Sequence, residues 1–428
     1  MTSTDIAPME EGPSKGLDQI SLLSSDERLK GRPRLCSDCG FCDSSLKLLM
    51  SQTCTFVRNQ TRGIEQRLHG RTRHAGEEGR FGIYRAMYAA RMARPNPHAQ
   101  WSGMVTTLGA RLLEQDKVDA VITTAAAPGT RFKAQPLLAR TPQEVLATAG
   151  NKPCLSPALS LIDAVRDQGI KRLAVVGTGC QVHQLRAAEA ELGLERLYVI
   201  GIPCSDNVSY PDLEYFLTQV SKSPETVVHH EFMQDFSLWM RHEDGHVERL
   251  NYIDFPMDKL HGIFPSSCLS CFDYANTLSD ITIGYMGAPL GWQWVMVRTP
   301  RGEELFEMLR PELEIGELTE SGDRNRGMPR YMERLSHPPG QKRPPMPIRK
   351  LVAMLQRTRG PKGLEFARAV IEMKLLRNLN YVRSKFPKFE SRVVPGHVYE
   401  TLEPYSELYE QTFGRPLAPT AAESSSEG

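Results

Sequence analysis

This sequence predicts an α/β fold in which a mostly parallel sheet is built from βαβ units, preceded by a cysteine-rich segment and followed by a basic helical region. Three observations carry the prediction. Residues 171–176 form an apolar run, 177–180 a Gly-Thr-Gly-Cys turn, 181–192 a helical pattern and 196–201 a second apolar run, together one crossover between parallel strands. A helical pattern over 101–113, followed by the apolar run 118–124, repeats the alternation. Two more apolar runs, 278–285 and 292–298, flank the glycine-rich loop 286–291 and add strands.

At 428 residues the chain has length for two domains, or for one large domain with appendages. Lysine and arginine number 52 against 51 aspartate and glutamate, so the net charge of +1 selects no partner and steering falls to local asymmetry. Nine cysteines, several at close spacings, with no apolar run at the start of the chain, point to a reducing compartment and to metal rather than disulfides. An intracellular protein is expected. No stretch reaches the roughly 20 apolar residues that cross a bilayer.

Shifts in composition divide the chain into a leader (1–33), a cysteine segment (34–75), an α/β part (76–160), a second α/β part (161–340), a basic helical region (341–415) and a tail (416–428). The leader and tail are polar and lack apolar periodicity, as disordered segments do. In the leader six acidic residues (Asp5, Glu10, Glu11, Asp18, Asp26, Glu27) face four basic ones (Lys15, Arg28, Lys30, Arg32), against the pattern of a transit peptide.

The cysteine segment holds Cys36, Cys39 and Cys42 at two-residue spacings, then Cys54 after eleven more residues. A loop containing Gly40 can turn all four thiols toward one iron-sulfur cluster, although the bacterial ferredoxin run places its fourth cysteine closer and follows it with proline. A four-thiolate zinc site is the alternative. Residues 82–91 alternate at helical spacing and predict a helix. His69 and Arg71 offer an anion contact or an exposed basic turn. Ser102 and Gly103 open the 101–113 helix, a position suited to a phosphate or to a flavin pyrophosphate. Cys154 lies alone in the loop 151–157 and reads as a small buried residue.

In the βαβ unit the third glycine of a dinucleotide fingerprint is replaced by Val182, which removes a Rossmann site. Cys180 lies just past the first strand and Cys204 just past the second, so both thiols leave the same sheet edge. Cys180 also starts a helix, where the macrodipole favours thiolate. Cys268 and Cys271 complete a second set of four, and the competing reading is a redox-active dithiol that leaves Cys180 and Cys204 without a role. Trp292 and Trp294 follow the 286–291 loop and could flank a flat ligand or pack in the core.

From 341 to 392 there are fourteen lysines and arginines against Glu365, Glu372 and Glu390. Helical stretches at 351–357 and 364–376 carry apolar faces that would pack on the body and leave a basic face outward. An acidic partner, an anionic membrane surface and a solvated surface with no partner all suit this charge. Nucleic acid ranks last because no reading motif accompanies it.

The runs Gly177 to Arg186, Gly201 to Cys204 and Cys268 to Gly284 resemble the family of beta subunits of deazaflavin-reducing hydrogenase and formate dehydrogenase, over about 36–383. Segments at 69–71, 151–153, 223–236, 286–294 and 360–368 are similar to its branch from oxygenic phototrophs. The resemblance implies FAD, two 4Fe-4S clusters and electrons from reduced ferredoxin. It implies reduction of the C8 vinyl group of a divinyl (proto)chlorophyllide, with the C7 hydroxymethyl group of chlorophyll a as the alternative and a non-catalytic electron-transfer subunit as a further one. A zinc-stabilised binding protein is the third alternative. Ser102, Gly103, Thr106 and Lys152 are the flavin contacts expected. A cyanobacterial cytoplasm, in contact with thylakoids, is the expected location rather than a plastid stroma; peripheral membrane contact and a homo-oligomer fit the same picture.

Overall fold

A computed structural model describes residues 35–260, 262–337, 344–359 and 363–419. The leader and residues 420–428 of the tail fall outside it, as do 341–343 and 360–362 of the basic region.

Eight strands form one mixed sheet: β1 (Ala86–Met92), β2 (Ala120–Ala126), β3 (Ala134–Ala139), β4 (Arg172–Gly177), β5 (Arg196–Gly201), β9 (Ile281–Gly284), β10 (Gln293–Val297) and β11 (Leu313–Gly316), while β6 (Val227–Met233), β7 (Ser237–His242) and β8 (Val247–Asn251) form a separate sheet. The order is β11-β1-β10-β9-β5-β4-β2-β3. At its centre β2, β4, β5 and β9 are consecutive and parallel. β1 points the same way, and only β3, β10 and β11 oppose them. Strands from both 76–160 and 161–340 enter this sheet, so the two parts share one core.

The central strands obey a period of two. Leu173, Val175, Leu197 and Val199 pack on one face with Val182 and Leu185 of the helix Gly179–Ala187 and with Ile162 and Val165. Ala174, Val176, Tyr198 and Ile200 pack on the other with Leu108 and Leu112 of the helix Met104–Glu114 and Leu305 and Leu309 of the helix Pro300–Leu309. Burial on both faces explains why these runs are apolar throughout.

The predicted helix over 82–91 is instead β1. Gly82, at φ 72°, ends the short helix Glu77–Phe81, and the chain then extends between β10 and β11. Ala89, Ala90 and Met92 are buried there, and tertiary pairing overrides the helix preference of alanine and methionine.

The second sheet is the antiparallel meander β6 (Val227–Met233), β7 (Ser237–His242) and β8 (Val247–Asn251). The helix Tyr210–Val220 covers it through Leu213, Phe216, Leu217 and Val220. The 22-residue helix Leu364–Lys385 runs beneath the main sheet, burying Ile371, Leu375, Leu376, Leu379 and Val382 against Phe81, Trp294 and Met296. No described helix is long and apolar enough to cross a membrane.

Candidate metal centres at the sheet edge

The first thiol set is Cys36, Cys39, Cys42 and Cys54. Its loop turns through two left-handed residues, Asp38 at φ 50° and Gly40 at φ 91°. The turn lets the Asp38 N–H donate to Cys36 Sγ at 3.4 Å. Glycine is required at position 40, because a Cβ there would stand 2.4 Å from the Pro157 carbonyl oxygen. The Leu159 N–H donates to the Cys39 carbonyl at 2.8 Å, and Phe41 is buried among Ile64, Leu159 and Val182. The loop is thereby fastened to the parallel core. Burial, reinforced by the other thiols, pushes Cys39 well above the ordinary thiol range and Cys54 to about 12.

The second set forms where the parallel block ends. Gly177 and Gly201 pair across β4 and β5, and Cys180 and Cys204 follow each by three residues. The helix Gly179–Ala187 is opened by Thr178, whose N–H donates to the Gln181 side chain at 3.0 Å. Asn276 then pins the incoming loop to both strand ends: its Nδ2 donates to the Gly177 carbonyl at 2.7 Å and to that of Ile202 at 3.2 Å. The Cys204 N–H adds a bond to the Tyr274 carbonyl at 3.1 Å. Cys268 and Cys271 are thus delivered to the same edge. Asn207 N–H donates to Cys268 Sγ at 3.5 Å.

From below, the helix Leu364–Lys385 supplies Asn378, which donates to the carbonyls of Cys268 and Cys271, and Lys374, which bonds the Ser205 carbonyl and lies 3.6 Å from Asp206. Arg377 pairs with the same Asp206 at 2.8 Å. Burial pushes Cys204 well up and Cys268 and Cys271 to about 12, with neighbouring thiols adding to the rise and Lys374 opposing it. Ser37 and Phe56 of the first segment line the same cavity as Cys180, Cys204, Cys268 and Cys271, so the two sets adjoin.

A cavity is lined by Cys180, Cys204, Cys268, Cys271 and Lys374. Among the described residues no three of His, Cys, Asp and Glu close on a single metal ion. The residues fit clusters: two sets of four thiols, costly to ionise without metal charge, one of them around a cavity with an ammonium beside it. Cys154 stands apart, buried with Phe132, Val208 and Leu213.

The stretches holding the flavin candidates converge on β6. The Trp101 N–H donates to Glu231 Oε1 at 2.8 Å and its ring stacks on Tyr285 at 4.4 Å. Asn151 Nδ2 reaches the His230 carbonyl at 3.5 Å, and Gly150 lies against the His98 carbonyl. Ser102 is buried with its hydroxyl engaged by Gln293. Gly103, at φ 86°, caps the helix that carries Thr106. Lys152 Nζ donates to the carbonyls of Thr148 and Gly150, at 2.9 and 2.8 Å, and burial lowers its ammonium to about 8.

Other sequence candidates have different roles. Arg71 is held bidentately by Glu78 at 2.6 and 2.7 Å. The 286–291 loop closes around Gln234, whose Nε2 donates to the carbonyls of Tyr285, Ala288, Pro289 and Trp292. Trp294 is core, edge-on to Phe81, while Trp292 lies under Arg91. The supports Asn276, Lys374, Arg377 and Asn378 escaped the sequence reading; the polar positions 374, 377 and 378, spaced i, i+3 and i+4 on one face of the helix, were the available signal.

Comparison with known proteins agrees with this architecture. Residues 87–163 match the family model "Coenzyme F420 hydrogenase/dehydrogenase, beta subunit N-term", and 170–321 the model for its C terminus. An uncharacterised protein of Nostoc sp. is 40% identical over 367 residues, covering 84% of this chain and 91% of that protein. The 7-hydroxymethyl chlorophyll a reductase of Oryza sativa is 37% identical over 391 residues, covering 86% and 82%. A chain of the F420-reducing [NiFe] hydrogenase complex from Methanosarcina barkeri superposes with a TM-score of 0.51 at 22% identity, over 67% of this chain and 93% of that one.

Proposed function

Because this chain belongs to the coenzyme F420 hydrogenase/dehydrogenase beta-subunit family, we propose that it is an oxidoreductase that takes electrons from reduced ferredoxin and reduces a chlorophyll-type pigment. The observation that carries the reading is the pair of adjoining four-thiol sets at the carboxyl edge of the parallel block. Cys36, Cys39, Cys42 and Cys54 would hold one 4Fe-4S cluster, and Cys180, Cys204, Cys268 and Cys271 the other. Bound FAD would accept electrons one at a time and release them in pairs.

The chain's own residues then have defined tasks. Asn378 and Asn276 fix the Cys268–Cys271 turn and the two strand ends. Lys374 places positive charge beside the second set, favouring the reduced, more negative state of a cluster there. Lys152, held by carbonyls, and the backbone at Gly103 suit the flavin's phosphates, while the hydroxyl of Ser102 is taken by Gln293. Thr106 lies one turn further along the same helix.

Reduction of the C8 vinyl group of a divinyl (proto)chlorophyllide is the first reading of the substrate, supported by the sequence segments similar to the phototroph branch. Reduction at the C7 hydroxymethyl group is the second, favoured by the rice relative. The deciding experiment is an anaerobic assay with reduced ferredoxin that offers both pigments separately and resolves products by chromatography. Conversion of divinyl to monovinyl pigment supports the first reading; conversion of 7-hydroxymethyl chlorophyll a alone moves the enzyme to the second. If protein with full iron and flavin converts neither, the reductase assignment fails and an electron-transfer subunit takes its place.

A further inference from the structure

The helix Met346–Arg359 is packed the reverse of an ordinary surface helix. Its inward positions are Arg349, Val352, Ala353 and Gln356, spaced i, i+3, i+4 and i+7. Arg349 anchors it to the body through Asp254, at 2.5 Å. The large apolar side chains point outward: Met346, Ile348 and Leu351 are 59%, 51% and 52% exposed, and Met354 and Leu355 are exposed with them. Met257, three residues beyond the anchoring Asp254, is exposed as well.

The sequence that carries this stripe is basic, while Asp254, paired with Arg349, and the exposed Asp258 beside Met257 bring negative charge to its edge. From Arg334 to Leu364 the sequence holds eight lysines and arginines and no aspartate or glutamate. Lys350 is exposed beside Leu351. An outward stripe of methionine, isoleucine and leucine within a basic stretch of sequence is the composition of a helix that lies in a membrane interface, with its apolar side in the acyl boundary and its cations among anionic headgroups.

Two other occupants are less well matched. Pairing this helix with its copy in a second chain would bring two basic segments together. A small acidic electron donor would satisfy the charge and leave the aliphatic stripe unmatched; the helix seats on the Tyr252–Asp254 turn that follows the small sheet. We propose that Met346–Arg359 is a peripheral membrane anchor, which sets the protein on an anionic lipid surface by its outward apolar face.

Vesicle flotation of the intact, cluster-loaded protein tests this without reference to catalysis. The protein is expected to float with vesicles containing phosphatidylglycerol, to stay behind with pure phosphatidylcholine, and to be released as salt rises. Ile348→Ser with Leu351→Ser, both at exposed positions, should lower vesicle partitioning about tenfold or more at unchanged iron content and melting temperature. Lys350→Glu should weaken it less and flatten the salt dependence. Absence of flotation with the anionic vesicles overturns the proposal, as does flotation untouched by the double substitution. It is also overturned if the double variant leaves flotation intact and instead dissociates an oligomer, measured by light scattering, or raises KM for reduced ferredoxin.

Discussion

Asn378 donates its side-chain amide to the carbonyl oxygens of both Cys268 and Cys271, at 3.0 and 2.6 Å, and so sets the turn that presents two thiols of the second set. Asn378→Ala leaves those carbonyls without a donor in a buried place, at a cost of about 1–3 kcal/mol. The variant should melt lower and lose iron from the second set while the first keeps its own, read by iron analysis and by electron paramagnetic resonance of the reduced protein. Full iron with an unchanged melt would show that the turn holds itself.

The eight thiols of the two sets and the ninth behave differently by position. Alanine at Cys54 or Cys204 should cut bound iron, because each removes one corner of a four-thiol set. Cys154→Ala should leave iron untouched and cost about 1 kcal/mol of packing among Phe132, Val208 and Leu213. Iron lost from Cys154→Ala and retained in Cys54→Ala would reverse the assignment.

Gly40→Ala should be among the most damaging single-methyl additions in the protein. It places a Cβ 2.4 Å from the Pro157 carbonyl oxygen and 2.6 Å from the Ser160 nitrogen, at a φ of 91° that alanine resists. The backbone strain alone is about 1–3 kcal/mol. Differential scanning calorimetry should show a lowered transition, accompanied by loss of the first set's iron; a normal melt would mean the loop docks elsewhere.

His230 gives the protein an acid-sensitive stability. It is buried against Phe132 with neither ring nitrogen hydrogen-bonded, and burial, then the neighbouring His229, lowers its imidazole to about 3. Below the ordinary value near 6.5 the unfolded chain takes up a proton that the folded chain refuses. Stability is therefore fully present above that value and falls as pH drops toward 3, by about 1.4 kcal/mol per pH unit at the steepest. Urea titrations of the wild type and of His230→Leu should agree in slope above pH 7 and diverge at pH 5.5. Parallel pH profiles would exclude this residue as the cause.

Much of this arrangement is legible in the residues, and the rest is hidden for identifiable reasons. The β4–helix–β5 unit shows itself because both strands are buried on both faces and are therefore apolar throughout. The thiols show themselves because few other uses explain such spacings. β1 is concealed by alanines and methionines that favour helices in isolation, and only its partners β10 and β11 reveal it. The β6–β8 meander is concealed by its histidines and charges, which break the alternation. Ser102 looks like an anion contact until Gln293, nearly two hundred residues on, takes its hydroxyl.

The fastening of the Cys39–Gly40 turn to Pro157, Leu159 and Ser160 also orders the protein's assembly in time. The first thiols to leave the ribosome are docked by a segment made more than a hundred residues later, and the second set is completed only when Asn378 has been synthesised. The two sets therefore close in sequence, the first once Ser160 has been made and the second more than two hundred residues later, when Asn378 follows.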